Sequence, residues 1–128
     1  MSTAEELGLF TSLTTLWING NKLNSTFPES VWQNLGNLSA LNMKNNQVTG
    51  TIATEFGLLT KLTALQFSEC GLEGTLPSEL LQLTRLQYLV FRKAELRGTI
   101  PPFGKAFSDL KWLVLDENNY TGKSGLDA

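Results

Sequence analysis

The chain has 128 residues, which allows one folded domain, and its ten basic and twelve acidic side chains give a formal net charge of −2. A charge this close to neutral excludes a strongly basic surface over the whole chain and so argues against a nucleic-acid partner, and no apolar run of about 18 residues is available to span a membrane. The sequence has one cysteine, Cys70, and no histidine, which excludes an intrachain disulfide, Ser-His-Asp triads, Cys-His dyads and the usual zinc sites.

The first twelve residues form a partial copy of a unit that recurs along the chain. Residues 2–12, STAEELGLFTS, align with residues 51–61, TIATEFGLLTK. The chain is therefore expected to begin midway through a unit. Acidic residues stand where a signal peptide needs basic ones, and no long apolar core follows, so this segment is not predicted to be a secretion signal.

Five further units follow the partial one, and we number them as coils 1 to 5. They begin at Leu13, Leu38, Leu62, Leu86 and Leu110, with steps of 25, 24, 24 and 24 residues. Each opens with L-x-x-L-x-Φ, where Φ is apolar, as in LTTLWI, LSALNM, LTALQF, LQYLVF and LKWLVL. The alternation predicts a short strand with one buried face. One coil cannot bury that face alone, so the coils are expected to stack as one domain over residues 1–128 with a continuous core.

The inward positions of the strands predict two columns of core side chains. The first column contains Leu16, Leu41, Leu65, Leu89 and Leu113, and the second contains Ile18, Met43, Phe67, Phe91 and Leu115. The ninth position of each coil holds Asn21, Asn46, Cys70, Ala94 and Asn118. A buried amide at this position can bond backbone groups that are left unpaired where the chain leaves the strand. Cys70 is predicted to replace it in part as a small buried residue, whereas Ala94 cannot, so coil 4 is expected to be looser.

The second half of each coil identifies the type of repeat. VTGTIA, LEGTLP and LRGTIP follow the strands from Val48, Leu72 and Leu96. Their glycines, Gly50, Gly74 and Gly98, suit a tight turn, and the prolines suit an edge that needs no amide hydrogen. This pattern resembles the plant-type leucine-rich repeat (LRR), whose mark after the strand is L-x-G-x-I-P, over nearly the whole chain.

The resemblance implies both a fold and a class of function. The fold is an α/β, right-handed leucine-rich-repeat solenoid of about five coils, with a concave parallel β-sheet and short helical or 3-10 turns on the convex side. Receptor-like ectodomains and microalgal LRR proteins use such repeats, so the resemblance implies a protein or peptide ligand. It also suggests an extracellular or cell-surface location, which the residues themselves do not specify.

Positions that vary between coils are free to carry function, and they form columns across the concave face. One column holds Thr15, Ala40, Ala64, Tyr88 and Trp112, and the next holds Trp17, Asn42, Gln66, Val90 and Val114. The other two hold Asn19, Lys44, Ser68, Arg92 and Asp116, and Gly20, Asn45, Glu69, Lys93 and Glu117. Adjacent strands lie about 4.8 Å apart, so side chains within a column are expected to touch.

Seven concave residues are predicted to bind a ligand: Tyr88, Val90, Arg92, Trp112, Val114, Asp116 and Trp17. Exposed aromatic side chains are enriched in protein interfaces, and four of the seven form an aromatic and aliphatic corner near the C-terminal end. Arg92 is expected to face Asp116, and Lys93 to lie between Glu69 and Glu117. The same residues would also serve as cross-strand packing and as surface ion pairs, each worth at most ~1 kcal/mol.

The sequence contains no recognisable catalytic constellation. Asp116 and Glu117 are consecutive on a strand and do not form a pair around a substrate, and residues 122–125, GKSG, lack the spacing of a phosphate-binding loop. We therefore predict a protein that is not an enzyme and has no metal and no cofactor. The predicted function is recognition of a protein or peptide, as part of a receptor-like or secreted protein. The alternatives are a structural solenoid segment that associates end to end, and a carbohydrate-binding module on the aromatic corner.

Overall fold

A computed structural model describes residues 3–18, 29–45 and 49–121 of the chain. The predictions for Asn19, Gly20, Asn21, Asn46 and residues 122–125 lie outside these ranges. Five short strands form the first parallel sheet: β1 (Thr15–Trp17), β2 (Ala40–Asn42), β4 (Ala64–Gln66), β6 (Tyr88–Val90) and β8 (Trp112–Val114), in that order. Leu16, Leu41, Leu65, Leu89 and Leu113 lie in register across it. The stacked strands predicted from the repeat are therefore confirmed.

The glycine segments form a second parallel sheet, which the sequence interpretation described only as turns. Its strands are β3 (Thr49–Thr51), β5 (Gly71–Thr75), β7 (Leu96–Gly98) and β9 (Asn119–Tyr120), in that order. The glycine positions have left-handed φ angles, +86° at Gly74 and +78° at Gly98. A Cβ on Gly98 would lie 2.8 Å from Cγ2 of Thr75 in the preceding coil. Glycine is needed there both for the backbone angle and for the close approach of the next coil.

Short helices lie on the side of the coils opposite to the five-stranded sheet. They are α1 (Thr3–Leu7), α2 (Glu29–Asn34), α3 (Phe103–Ala106) and two 3-10 turns, Thr54–Leu58 and Ser78–Gln82. Coil 1 is one residue longer than the others, and its helix α2 buries both Val31 and Trp32. None of the helices in the described ranges has the length and apolar character needed to cross a membrane.

The core lies between the two sheets and the helices. The inward columns are buried in coils 2 to 4, and an aromatic chain continues them towards the helices. The ring centroids are 4.5 Å apart for Trp32 and Phe56, 5.4 Å for Phe56 and Phe67, and 6.0 Å for Phe67 and Phe91. Such pairs add about 0.5–1.5 kcal/mol each beyond the area that they bury. The stacked coils are thus held by side chains from every part of the repeat.

The ninth position joins neighbouring coils, as predicted for a buried amide. Oδ1 of Asn118 accepts hydrogen bonds from the backbone N–H groups of Ala94 and Leu96, at 3.0 and 3.1 Å. Its Nδ2 donates to the carbonyl oxygen of Phe91 at 2.6 Å and to two carbonyls of its own coil. The Cys70 thiol is buried and donates to the Met43 carbonyl oxygen at 3.0 Å. The partial replacement by cysteine is confirmed, while the looser coil 4 stays a prediction.

Candidate binding site on the concave face

Three aromatic side chains project from the outer face of the five-stranded sheet. Trp17 is 68%, Tyr88 44% and Trp112 59% exposed. Each belongs to a strand whose central leucine points into the core, so alternation along the strand turns the flanking aromatics outwards. Tyr88 and Trp112 are register partners on adjacent strands, and Trp17 lies on the first strand of the sheet. The aromatics therefore stand near both ends of the concave face.

These aromatics surround one cavity of about 460 Å³ on that face. Between Trp17 and Tyr88 its lining includes Ala40 and Ala64, which are register partners on β2 and β4. The small alanines leave the depression between the larger side chains. Beside them the lining continues with Asn42, Gln66, Val90 and Val114, and towards the strand ends with Lys44, Ser68, Glu69 and Arg92. A volume of this size accommodates a small ligand or a few residues of a peptide.

Ion pairs border the cavity at its C-terminal end. Nε of Arg92 lies 3.3 Å from Oδ2 of Asp116, and its Nη2 lies 3.3 Å from Oε1 of Glu117. Nζ of Lys93 lies 3.5 Å from Oε2 of Glu117. All four side chains are about half exposed, so each pair contributes at most about 1 kcal/mol to stability. Their local effect is to hold the Arg92 guanidinium at the rim of the cavity.

The backbone turns sharply just beyond these strands. Asn45, Glu69, Lys93 and Glu117 hold equivalent positions in coils 2 to 5 and all have left-handed φ angles, between 54° and 58°. For a residue other than glycine this conformation costs about 1–2 kcal/mol. Its repetition at one position shows that the turn is a feature of the repeat. The turn thereby places the charged residues Glu69, Lys93 and Glu117 at the same edge of the sheet in coils 3 to 5.

The family of the chain follows from its repeats. The Leucine Rich Repeat family model matches residues 12–34, 37–59 and 61–83, more than half of the chain. The chain belongs to the leucine-rich-repeat family. No curated protein sequence matches it significantly.

Solved structures place this LRR chain among plant-type repeats. It is similar to the plant peptide hormone receptor RGFR1 in complex with RGF2, with 31% identity, a TM-score of 0.84 and coverage of 90% of this chain and 18% of that one. It is similar to the BIR3–SERK2 complex from Arabidopsis thaliana, with 34% identity, a TM-score of 0.78 and coverage of 93% and 62%. A plant ice-binding protein has 30% identity, a TM-score of 0.81 and coverage of 91% and 38%. The LRR chain spans less than two thirds of each of these neighbours.

The structure brings six of the seven predicted site residues together around the cavity. Asp116 does not line it, but contacts Arg92, which does. Sequence interpretation assigned no site role to the alanine floor or to the amides of Asn42 and Gln66, although it placed all of them in the concave columns. The available signal was the pair of small residues at positions that hold Tyr88 and Trp112 in coils 4 and 5.

One side chain of the concave columns is buried, although it was expected to be exposed. Ser68 was expected among the exposed side chains, but it is buried, and its Oγ accepts a hydrogen bond from the backbone N–H of Arg92 at 3.3 Å. Its short side chain therefore joins the turns of coils 3 and 4. Lys93 pairs with Glu117, and no ion pair among the described residues joins it to Glu69.

The side chains at the site offer groups that can bind a ligand. Within residues 3–18, 29–45 and 49–121, no group of three or more acidic or cysteine side chains is placed to hold a metal ion. Burial raises the pKa of Tyr120 well above its usual value, but this phenol does not line the cavity. The lining offers aromatic faces, amide groups and a paired guanidinium, which suit recognition of a ligand by packing and hydrogen bonding.

Proposed function

We propose that this LRR chain is a non-catalytic recognition module that binds an extended peptide, or an exposed loop of a protein, in the concave cavity. The observation that carries the proposal is the cavity itself, with exposed Trp17, Tyr88 and Trp112 around an alanine floor. Solvent-exposed aromatic side chains next to a depression are typical of energetic hot spots in interfaces. All seven predicted residues belong to the proposed site, six as lining and Asp116 as the partner of Arg92.

The size of the face favours a peptide over a globular partner. Five strands span about 20 Å, and four outward positions per strand add about 13 Å, which gives a projected area of roughly 250 Å². A standard interface buries about 800 Å² on each partner. An extended segment of a few residues would use the cavity fully, whereas a globular partner would also need surfaces beyond the sheet.

The structural neighbours support the same class of function. One is a plant peptide hormone receptor in complex with RGF2, and another is a complex of two proteins, BIR3 and SERK2. By this analogy we propose that the chain is part of a receptor-like or secreted protein, at an extracellular or cell-surface location. Residues 1–128 would then act as a single recognition domain.

A displayed peptide library tests the proposal directly. Immobilised LRR chain should enrich a set of related peptides, and the double variant Trp112→Ala, Val114→Ala should lose them. Leu58→Ala is the matched control, because Leu58 is also a large exposed apolar residue but lies on a 3-10 turn outside the cavity. Equal enrichment by the double variant and the wild type would contradict the proposed site.

A second candidate function is end-to-end assembly, and the end coils favour it. Core positions that are fully buried in coils 2 to 4 are only partly buried at the ends, as for Leu13, Ile18, Leu113 and Leu115. Stacking a further copy would complete their burial. Light scattering over a concentration series separates the two functions: a constant mass near 14.1 kDa contradicts assembly, whereas growth with concentration that survives Trp112→Ala supports it.

A further inference from the structure

We infer that the concave cavity recognises a proline-rich segment in the polyproline II conformation. The inference rests on the proposed function and names the ligand class for the same site. Aromatic-lined grooves are a recurring way of binding this conformation, because the ligand is already extended and loses little entropy on binding. Three independent features of the cavity fit such a ligand: the spacing of its tryptophans, the polarity of its hydrogen-bonding groups and the balance of its charges.

The spacing of the two tryptophans matches two turns of a polyproline II helix. Trp17 and Trp112 stand on the first and last strands of the sheet, four strand steps or about 19 Å apart across it and two residues or about 7 Å apart along the strands, which gives a separation of about 20 Å. Polyproline II has three residues per turn and rises about 3.1 Å per residue, so residues i and i+6 face the same way about 19 Å apart. Ala40 and Ala64 lie between the tryptophans and leave depth for the pyrrolidine rings of the intervening turn.

Several of the hydrogen-bonding groups that line the cavity can donate to a ligand. Oδ1 of Asn42 already accepts a hydrogen bond from the backbone N–H of Lys44 at 3.1 Å, which leaves its NH₂ group for a ligand. The indole N–H groups of Trp17 and Trp112 can only donate. A polyproline segment has carbonyl acceptors that form no internal bonds, and its prolines have no N–H groups.

Three charged side chains line the cavity, Lys44, Glu69 and Arg92, and all of them lie towards the strand ends. The concave rim carries three cations and three anions: Lys44, Arg92, Lys93, Glu69, Asp116 and Glu117. Arg92 is paired with two of the carboxylates, and Lys93 with one. The floor and walls made by alanine, amide, valine and aromatic side chains carry no charge. A proline segment complements this surface, because it requires neither a cation nor an anion from the protein.

Fluorescence anisotropy with synthetic peptides tests the inference. The probe is dye-labelled nonaproline, which is long enough to span both tryptophans, and the comparison peptide is a Gly-Ser nonamer with the same dye. Nonaproline should bind at least about tenfold more tightly than the comparison peptide. Trp17→Ala and Trp112→Ala should each weaken its binding by about tenfold or more. Leu58→Ala should leave it within about twofold, since Leu58 is exposed outside the cavity.

The possible failures are distinguishable. Peptides that bind through Trp112 without a preference for proline would overturn this inference and leave the proposed function standing. An oligosaccharide panel that binds in a Trp112-dependent way, with no peptide bound, would overturn both. Nonaproline binding that is unchanged in both tryptophan variants, with native far-UV circular dichroism in each, would place the ligand elsewhere and overturn the inference.

Discussion

Replacing Asn118 by alanine tests how the coils are joined. Its side-chain oxygen accepts two backbone N–H groups of coil 4, and its NH₂ group is within hydrogen-bond distance of three carbonyl oxygens. The NH₂ group has two hydrogens and so donates about two good hydrogen bonds. With the two bonds that the oxygen accepts, the side chain makes about four effective hydrogen bonds. At about 0.5–1 kcal/mol each for a partly buried site, the loss in unfolding free energy should be about 3 kcal/mol.

The matched control is the neighbouring asparagine. Asn119 is exposed on β9, and its replacement by alanine is the same chemical change one residue along the chain. Urea unfolding followed by tryptophan fluorescence and far-UV circular dichroism gives the free energy of both variants. We expect Asn119→Ala to stay within about 0.5 kcal/mol of wild type. If the two variants lost the same stability, Asn118 would not join the coils in the way that its hydrogen bonds indicate.

Three further changes give expected outcomes in the same unfolding assay. Gly98→Ala should lower the free energy of unfolding by about 2 kcal/mol, because the φ of +78° and the 2.8 Å approach to Thr75 leave no room for a Cβ. Gly104→Ala is the control and should lower it little, because no atom lies within 4 Å of a Cβ at that position. Equal losses in the two variants would contradict this. Ala94→Asn should add about 1 kcal/mol by bonding the backbone of coil 3 as the amide of coil 5 bonds that of coil 4, and a loss of stability would show that the buried site lacks room. Tyr120→Phe should be at least as stable as wild type, because the buried hydroxyl has no hydrogen-bond partner among the described residues. Burial raises the pKa of Tyr120, so above about pH 10 the folded chain retains a proton that the unfolded chain loses. The free energy of unfolding of the wild type should therefore fall as the pH rises through this range. An equally steep fall in the phenylalanine variant would contradict this.

The sequence by itself determined the period, the strands and the core. Neighbouring coils share one sequence pattern with a period of 24 residues. Residues at equivalent positions of two coils therefore lie next to each other when the coils stack. This is why the register of Leu41, Leu65 and Leu89 could be predicted without a structure. The same argument predicted the role of the ninth position, which Asn118 and Cys70 confirm.

Only the tertiary structure decided how the non-repeating side chains combine. The cavity arises because alanines in coils 2 and 3 lie between large aromatics of coils 1, 4 and 5, and its depth depends on the stacked sheet as a whole. The burial of Ser68 and the two partners of Arg92 likewise depend on how far each side chain reaches into the next coil. The second sheet also required the structure, because its glycine angles and threonine contacts form only when the coils close against each other. Periodicity encodes what every coil shares, whereas a binding site is made from what the coils do not share.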